Sequence, residues 1–325
     1  MLRAPIAISC GEPAGIGPEI AAEAWAALKD SVPMVWIGDP NHLPSDTPIA
    51  PVQTGAEAVS ASAGALPVVA QDFGQALAPG QPNPAHAQGV IDAIAIGVDW
   101  VTRGQASALC TAPIHKAALI DGANFAYPGH TEYLAALAGV ERVVMMLASP
   151  ELRVVPTTIH ISLAAVPNAL TASLLTDTLL ITHAALRRDF GIDRPRIAVA
   201  GLNPHAGEDG KMGMEEIEII RPVVDALRSE GMDLVGPMSA DTMFHAGARK
   251  RYDVAVCMYH DQALIPIKTF GFDVGVNVTL GLPFIRTSPD HGTAFDIAGK
   301  GIASASSMIE AIKMAADMAE AQANG

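Results

Sequence analysis

The feature that most constrains the fold is a regular alternation of short apolar runs with segments of helical periodicity. The apolar runs lie at residues 5–9, 34–38, 66–70, 107–111, 142–148, 154–159, 196–202 and 253–259. Between them, apolar residues recur at helical spacing, for example over 86–103, 175–189 and 214–230. Short apolar runs favour buried strands, and periodic segments favour helices. The alternation predicts an α/β protein with a largely parallel or mixed sheet.

Length and charge narrow the class of protein. A chain of 325 residues is longer than one simple core usually requires, so we expect two lobes. Half of the residues are hydrophobic and 17% are charged, which excludes a disordered chain. The net charge of −14 and the absence of dense basic clusters argue against a nucleic-acid partner. A small anionic substrate stays possible, because a few fixed cations determine the local potential of a cleft.

The cysteines and the apolar tracts predict the compartment. Cys10, Cys110 and Cys257 show no CxxC spacing, and an odd, sparse set of thiols favours a reducing environment. The amino-terminal residues lack the apolar segment and cleavage site of a signal peptide. Proline or charge interrupts each apolar tract before the roughly 20 residues that a membrane helix requires. We therefore expect a cytoplasmic protein with no membrane segment.

A glycine-rich loop follows the first apolar run, with the sequence Gly11-Glu-Pro-Ala-Gly-Ile-Gly-Pro-Glu19. It lacks the lysine of a P-loop and the glycine order of a dinucleotide fingerprint. Two interpretations stay open, a tight turn that packs a helix on a strand and a loop that contacts a ligand. His115 and Lys116 follow the run 107–111, where open α/β sheets hold ligands, although solvated residues of a first helical turn are the more common explanation.

Three histidines share one context, because each follows the carboxyl end of an apolar run. They are His160 after 154–159, His205 after 196–202 and His260 after 253–259. Strand ends that meet at one sheet edge would bring the imidazoles together, and three imidazoles suit Zn²⁺, Co²⁺, Mn²⁺ or a related ion. Asp241 and Asp261 are candidates to orient them. The alternative is three hydrogen-bonded loop histidines, since no local HExxH-type spacing ties them together.

A second set of polar residues suits an anion. Its members are His130, Thr131, Lys268, Asn277 and Arg286. Arg286 follows the apolar run 280–285, and a guanidinium in such a setting often binds carboxylate or phosphate through two hydrogen bonds. His130 and Thr131 fall near a helix amino terminus, where backbone N–H groups attract anions. A structural salt bridge is the alternative for Arg286.

Five segments together are more specific than any single motif. They are Gly11–Glu19, Gly129-His-Thr-Glu132, Leu202-Asn-Pro-His-Ala-Gly-Glu208, Tyr259-His-Asp-Gln262 and Thr279-Leu-Gly-Leu-Pro-Phe-Ile-Arg-Thr-Ser288. In this order, over nearly the whole chain, they resemble the 4-hydroxythreonine-4-phosphate dehydrogenase family of vitamin B6 biosynthesis. The segment His291–Ala303 also resembles the adenosine-side cofactor loop of isopropylmalate and isocitrate dehydrogenases.

The resemblance implies a fold and a set of roles. The fold would be a two-lobed, isopropylmalate dehydrogenase-like α/β/α protein with its active site in the cleft between the lobes. Residues 1–124 plus 280–325 would form the cofactor-side lobe, and residues 125–279 the metal, substrate and dimerisation lobe. The family is a homodimer with its site at the subunit interface, so a partner chain would complete the histidine set.

The resemblance also implies which residues bind which group. His160, His205 and His260 match the metal ligands, for Zn, Co or Mg. His130, Thr131, Lys268, Asn277 and Arg286 match the substrate-binding positions. We expect His291, Gly292, Thr293, Ala294 and Asp296 to bind NAD or NADP. Asp241, Asp261 and Lys268 are the candidate catalytic residues, any of which can accept the proton.

The expected reaction is a metal-dependent, NAD(P)-linked oxidation of 4-phosphohydroxy-L-threonine, followed by decarboxylation to 3-amino-2-oxopropyl phosphate, in pyridoxal phosphate biosynthesis. Ala263, Lys211 and the pair Thr269-Phe270 depart from the commonest family pattern, but none of them occupies a metal or substrate position. These departures leave open a paralogue that acts on threonate or erythronate 4-phosphate or on a cyclic dihydrodiol.

Two hypotheses from other classes compete with a dehydrogenase. A metal-dependent hydrolase or aldolase would use the same histidines, but it would leave the segment 291–303 without a role. A non-catalytic small-molecule binder would not need three strand-end histidines near a set of cations.

Overall fold

The computed structural model describes residues 4–271 and 274–324, and it confirms the predicted α/β class. Its strands are β1 Ile6–Ser9, β2 Met34–Gly38, β3 Ile49–Pro51, β4 Leu66–Ala70, β5 Ala108–Thr111, β6 Val144–Ala148, β7 Arg153–Pro156, β8 Arg196–Ala200, β9 Asp233–Met238, β10 Val254–Cys257, β11 Val276–Leu280 and β12 Arg286–Pro289. Its helices are α1 Gly17–Leu28, α2 Gly55–Ala61, α3 Ala87–Thr102, α4 Lys116–Ala123, α5 His130–Ala138, α6 Val166–Ala169, α7 Ala172–Arg188, α8 Arg221–Ser229, α9 Ala246–Arg249, α10 His260–Phe270 and α11 Ser306–Asn324.

The chain forms two compact units. The first contains Met1–Arg142 and Leu282–Glu320, and the second contains Val143–Gly281 and Ala321–Gly325. Helix α5 belongs to the first unit, where its Tyr133 hydroxyl donates to the Ile91 carbonyl of α3 at 3.4 Å. The lobe bounds that the resemblance implies stay a prediction.

In the first unit the strands follow the order β3-β4-β2-β1-β5-β12, and all neighbours are parallel. The strands β1, β2 and β5 are buried along their whole length. Parallel strands covered on both faces require near-continuous apolar sequence, which explains the apolar runs. The loops after β1, β5 and β12 therefore leave the same edge of the sheet.

In the second unit the strands follow the order β11-β6-β7-β10-β8-β9. The pairs β11–β6 and β6–β7 are antiparallel, and β7, β10, β8 and β9 are parallel neighbours. A buried cluster that includes Val154, Ala198 and Ala255 packs around these strands. The three strands that precede the selected histidines are therefore adjacent, with their carboxyl ends at one edge.

Proline alters two of the predicted elements. The segment 214–230 forms a π-helical turn, Glu216–Ile220, before α8. Pro222 has no N–H to donate to the preceding turn, so a regular α-helix cannot run through it. The strand expected over 154–159 ends at Pro156, although Thr157 and Thr158 still donate backbone hydrogen bonds to Cys257 and Met258.

The cysteines are buried and free. Burial raises the pKa of the Cys110 thiol to about 12, so this thiol is neutral at physiological pH. Within the described residues, no single helix has the length and apolar composition to cross a membrane, and only the bent pair Leu163–Ala169 and Ala172–Arg188 meets that test when the two are taken together.

An ion pair joins two of the central strands of the second unit and generates a prediction. Asp253, just before β10, accepts hydrogen bonds from the Arg196 backbone at 2.8 Å and from its guanidinium at 2.8 and 3.2 Å. Partial burial raises the pKa of Asp253, but the hydrogen bonds from Arg196 outweigh it and hold this pKa below its usual value. The carboxylate therefore stabilises the fold above about pH 4 and loses this contribution as the pH falls through its lower folded-state pKa.

We expect Asp253→Asn to lower the free energy of unfolding by about 1–2 kcal/mol at neutral pH, measured by urea denaturation. The difference in the free energy of unfolding between Asp253→Asn and the wild type should become smaller as the pH falls below about 4. Asp225→Asn, at the exposed pair with Arg228, is the control and should change stability by less than about 0.5 kcal/mol. If the difference in the free energy of unfolding stayed the same below about pH 4, the stabilising role of the Asp253 charge would be contradicted.

Candidate active site

The three predicted histidines follow strands that end at one edge of the sheet, and two of the imidazole rings lie close together. His160 and His260 follow β7 and β10, and their ring centroids lie 5.8 Å apart. His205 follows β8 on the other side of β10 and is exposed. Among the described residues of one chain, no three His, Cys, Asp or Glu side chains converge as a metal site. One chain therefore brings the imidazoles of His160 and His260 together but does not group His205 with them.

Gln262 determines where His260 lies. The residue is 9% exposed, and its side chain accepts a hydrogen bond from the Met258 N–H at 2.7 Å and donates one to the Gly201 carbonyl at 2.8 Å. One buried amide therefore joins the end of β10 to the end of β8. His260 is the first residue of α10, so this connection sets the position of its imidazole.

Of the two aspartates expected to orient the imidazoles, Asp261 contacts one. Its Oδ1 lies 2.7 Å from His260 Nδ1. Because a carboxylate only accepts hydrogen bonds, His260 Nδ1 is the donor in this contact, so Nε2 is the ring nitrogen left for a cation. Asp241 instead accepts a hydrogen bond from the Ser239 hydroxyl at 2.5 Å, beyond the end of β9.

The loop that carries His205 is strained. The segment 205–209 has five consecutive positive φ angles, 52°, 51°, 79°, 43° and 54°, and only Gly207 among these residues lacks a Cβ. Each left-handed non-glycine residue costs roughly 1–2 kcal/mol. Glu216, which is 1% exposed, holds the loop by accepting hydrogen bonds from the Asn203 N–H at 2.7 Å and the Asn203 side chain at 2.9 Å. This observed strain marks the segment as a functional candidate.

A cavity of about 250 Å³ lies against the imidazole pair and includes Tyr259 and Asp261 in its wall. Two large apolar side chains of the same wall are solvent-exposed, Ile161 at 46% and Leu163 at 67%. Exposed apolar side chains in the wall of a cavity are typical of a surface that another molecule covers.

Part of the predicted anion-binding set assembles in the first unit. Arg286 is 4% exposed and donates a hydrogen bond to the Thr111 hydroxyl at 2.7 Å. Burial lowers the pKa of its guanidinium to about 10, so it stays charged at neutral pH. Burial, with the positive charge of Arg286, also holds the pKa of His130 well below its usual value. His130 is therefore neutral, and it begins α5 next to Thr131.

The other predicted substrate residues lie in the second unit. Lys268 is half-buried in the last turn of α10, and Asn277 lies in β11 opposite Leu147 of β6. The structure therefore distributes the predicted substrate set over both units.

The expected cofactor segment follows β12 and packs against the glycine-rich loop. The Ile16 N–H donates to the Thr293 carbonyl at 3.0 Å, and a Cβ on Gly15 would lie 2.7 Å from that carbonyl oxygen. Glu19 accepts a hydrogen bond from the Gly299 N–H. This packing explains the glycine at position 15 and supports the first interpretation of the loop, a turn built for close contact.

Two ring nitrogens, one in the cofactor segment and one beside it, have no partner among the described residues. His291 Nε2 and His115 Nδ1 are buried and make no hydrogen bond within residues 4–271 and 274–324. The His115 ring packs edge-on against Phe295, with 5.0 Å between the centroids. Ala294 adopts a φ of 46°, a strained value for alanine. Strained backbone and unsatisfied ring nitrogens fit a segment that receives a polar ligand.

Sequence reasoning missed the residues that support the site. Glu216 falls within a helical pattern, where an acidic residue is normally solvent-exposed, and no sequence signal marks its burial. Gln262 lies in the motif that the resemblance uses, but its connection of β10 with β8 is visible only in three dimensions. His130 was predicted to bind an anion, but its neutral state depends on burial that the sequence does not show.

Comparison with known proteins gives a consistent result. A family model described as "Pyridoxal phosphate biosynthetic protein PdxA" matches residues 29–315. A 4-hydroxythreonine-4-phosphate dehydrogenase of Roseobacter denitrificans is 66% identical over 97% of each chain. The crystal structure of a Klebsiella pneumoniae 4-hydroxythreonine-4-phosphate dehydrogenase superposes with a TM-score of 0.89, at 39% identity and 98% coverage of both chains. A terephthalate 1,2-cis-dihydrodiol dehydrogenase from Burkholderia xenovorans gives a TM-score of 0.68 at 28% identity, covering 96% of this chain and 97% of its own.

The support that Glu216 gives to the strained loop generates a prediction. Glu216→Ala should lower the free energy of unfolding by about 1–3 kcal/mol, because it leaves the Asn203 backbone N–H without its acceptor, while the Asn203 side chain keeps its hydrogen bond to Glu215 at 2.6 Å. Amide hydrogen exchange over 203–210 should accelerate more than exchange elsewhere. The control is Glu218→Ala, two residues away on the same π-turn with an exposed side chain. If amide hydrogen exchange over 203–210 were equally fast in Glu216→Ala and Glu218→Ala, the role of Glu216 in holding the strained loop would be contradicted.

Proposed function

The chain belongs to the family of the pyridoxal phosphate biosynthetic protein PdxA, and from this premise we propose that it oxidises 4-phosphohydroxy-L-threonine with a divalent metal and NAD(P)⁺. It is an oxidoreductase, and a dehydrogenase of this kind uses a nicotinamide-type cofactor. The observation that carries the metal-dependent part is the pair of His160 and His260 in one cavity, with Asp261 fixing the tautomer of His260.

The proposed reaction has two steps. In the first, the C3 hydroxyl of the substrate loses its proton, and the C3 hydrogen leaves as hydride to NAD(P)⁺, which forms a ketone and NAD(P)H. The product is a β-keto acid. In the second step the carboxylate leaves as CO₂, and a proton replaces it on carbon, which gives 3-amino-2-oxopropyl phosphate.

The histidines would hold the metal. His160 and His260 present their imidazoles to one cavity, and His205 of a second chain would be the third ligand. When bound, a Zn²⁺, Co²⁺ or Mg²⁺ ion would lower the pKa of the substrate hydroxyl and stabilise the negative charge that develops on its oxygen. Asp261 would hold the ring through Nδ1, so that Nε2 is the nitrogen left as the ligand atom.

The anion-binding residues would hold the two ends of the substrate. Arg286 supplies a buried positive charge, and the neutral His130 beside it supplies a hydrogen-bond donor at the beginning of α5. A guanidinium next to a helix amino terminus suits a phosphate. Thr131, Lys268 and Asn277 would bind the remaining phosphate and carboxylate oxygens.

The candidate proton acceptors differ in their contacts. Asp261 already accepts a hydrogen bond from His260, which favours an orienting role. Asp241 is exposed beyond the end of β9, and Lys268 is in the last turn of α10. We therefore assign the acceptor to Asp241 or Lys268.

The cofactor would lie against the segment after β12. His291, Gly292, Thr293, Ala294 and Asp296 follow a parallel strand at its carboxyl end, where α/β sheets bind nucleotides. A Cβ on Gly292 would meet no atom within 4 Å, so the backbone there is open to a ligand. His291 Nε2 and His115 Nδ1, which have no hydrogen-bond partner in the described part of the chain, are available to its polar groups.

A homodimer would complete the site. The third imidazole, His205, is exposed on a strained loop. Several large apolar side chains of the second unit are exposed and suit a subunit interface, among them Ile161, Leu163, Met212, Met214, Ile265 and Phe270. The buried free cysteines support a reducing compartment, and we propose the cytoplasm.

A second candidate substrate rests on a specific observation. The dihydrodiol dehydrogenase of Burkholderia xenovorans shares the fold over nearly its whole chain at 28% identity. A cyclic dihydrodiol would use the same metal and hydride chemistry. The buried Arg286 beside His130 favours a phosphorylated substrate instead, because a guanidinium binds phosphate oxygens through parallel hydrogen bonds.

The test is NADH or NADPH formation, followed by its near-ultraviolet absorbance, with 4-phosphohydroxy-L-threonine. We expect turnover that a chelator abolishes and that added Zn²⁺, Co²⁺ or Mg²⁺ restores, because the imidazoles alone do not stabilise charge on the substrate oxygen. If the enzyme turned over only threonate 4-phosphate or only a dihydrodiol, the proposed chemistry would stand and the substrate assignment would change. No reduction of either cofactor with any of these substrates would overturn the dehydrogenase and favour a hydrolase or aldolase.

A further inference from the structure

A buried group of three residues at the end of β10 has a consequence that the proposed mechanism does not use. The Gln262 side chain joins the Met258 N–H, at 2.7 Å, to the Gly201 carbonyl, at 2.8 Å. Met258 is 0% exposed, and Gly201 is also buried. The Met258 N–H therefore depends on this one side chain for its hydrogen bond. We call Met258, Gln262 and Gly201 the amide bridge.

One end of the amide bridge holds the imidazole pair. His260 is two residues beyond Met258 and begins α10. The Met258 carbonyl accepts hydrogen bonds from the Thr158 hydroxyl at 2.7 Å and from the Thr158 N–H at 3.2 Å. His160 is two residues beyond Thr158. The backbone that carries each of these two imidazoles is thus attached to Met258.

The other end of the amide bridge holds the loop of His205. A Cβ on Gly201 would lie 2.9 Å from Ala206 Cα and 3.0 Å from Glu216 Oε1. The Gly201 backbone is therefore in close contact with the residue that follows His205. Because protein interiors are close-packed, a displacement on one side of such a contact moves the other side.

The loop of His205 is the element whose order can change. Four of its non-glycine residues, at positions 205, 206, 208 and 209, have positive φ angles. Such a conformation is costly, and it persists only where neighbouring contacts hold it. An ion that needs this loop has to order it, and this cost lowers the affinity for the ion. An ion that binds after the loop is ordered does not bear the cost.

In the proposed homodimer, His205 and His260 of one chain would serve different metal sites. An ion at the first site would fix His160 and His260 of that chain. Through the amide bridge it would also order the loop of His205, which is the third ligand of the second site. Two-fold symmetry gives the same connection in the other direction, and binding linkage is reciprocal.

We propose that Gln262 is a positioning residue that couples the two metal sites of the dimer, so that the first ion raises the affinity for the second. This inference rests on the proposed metal-dependent function and adds regulation to it. The side-chain oxygen and nitrogen of Gln262 are both hydrogen-bonded to backbone groups. Gln262 therefore acts through the histidines and not as a ligand.

The first test is a calorimetric titration of the chelator-treated dimer with Zn²⁺ alone. After correction for two equivalent sites, we expect the second ion to bind about tenfold more tightly than the first. Gln262→Met keeps a side chain of similar length and removes both hydrogen bonds. It should bring the two affinities within about twofold of each other, whatever it does to their mean.

The control removes a different buried hydrogen bond from the second unit. Thr178 is 2% exposed and donates to the Leu174 carbonyl at 2.8 Å within α7. Thr178→Val should leave the ratio of the two affinities unchanged. A purely structural role of Gln262 would lower stability and both affinities but not their ratio. Equal affinities in the wild type, or the wild-type ratio in Gln262→Met, would overturn the proposal.

A second variant tests the other end of the amide bridge and does not remove the Gln262 side chain. Gly201→Ala should displace Ala206, so the ratio of the two zinc affinities should fall to within about twofold of one. The control is Gly247→Ala in the same unit, where the added Cβ would meet the exposed His245 ring at 3.2 Å. The wild-type ratio in Gly201→Ala would overturn the inference.

Hydrogen exchange separates the amide bridge from direct coordination. In His205→Ala the loop has no imidazole to bind zinc, and Zn²⁺ at a concentration that saturates the His160–His260 pair should still slow amide exchange over 203–210. Adding Gln262→Met to this variant should abolish the slowing. Equal slowing in the single and double variants, or none in His205→Ala, would overturn the inference.

These measurements need no substrate, so coupling and turnover fail separately. Chelator-sensitive turnover together with equal zinc affinities would overturn the coupling and leave the dehydrogenase standing. Cooperative zinc binding that depends on Gln262 would support the coupling even if the proposed substrate were not turned over. No zinc binding by the wild type would overturn both the coupling and the metal-dependent function.

Discussion

The parallel pairing of β10 with β7 on one side and β8 on the other is the interaction on which the candidate site depends. Parallel neighbours end at one edge, so the residues that follow them are brought near each other. Gln262 connects two of these ends through a single buried amide, and Thr157 and Thr158 extend the contact of β7 with β10 beyond the regular ladder. The imidazole pair follows from these hydrogen bonds.

Both candidate ligand segments carry strained backbone, and each is held by packing from outside itself. The loop of His205 depends on Glu216, and the cofactor segment depends on the glycine-rich loop and Glu19. Non-glycine residues keep a left-handed backbone conformation only where the surrounding contacts hold them in it. The same supporting residues that stabilise these segments thus position their functional groups.

The sequence predicted what periodicity and composition determine. Buried parallel strands need near-continuous apolar residues, so β1, β2, β4 and β5 were visible as runs, and the histidines after β7, β8 and β10 were visible as their polar ends. It did not predict features that depend on three-dimensional neighbours. The burial of Glu216 and the packing of α5 against α3 depend on residues that are distant in the chain. The roles of the metal, substrate and cofactor residues stay predictions, because they depend on groups that bind to the chain.

The central claim is that two chains together make one metal site, with His160 and His260 from one and His205 from the other. Subunit complementation tests it most directly. His205→Ala and His260→Ala homodimers should each be inactive, because every site lacks a ligand. Dissociated and reassociated in equal amounts, they should recover about one quarter of wild-type turnover, since half of the dimers are mixed and one of their two sites is complete. A mixture no more active than either variant alone, with mixed dimers shown to be present, would contradict a site shared between chains.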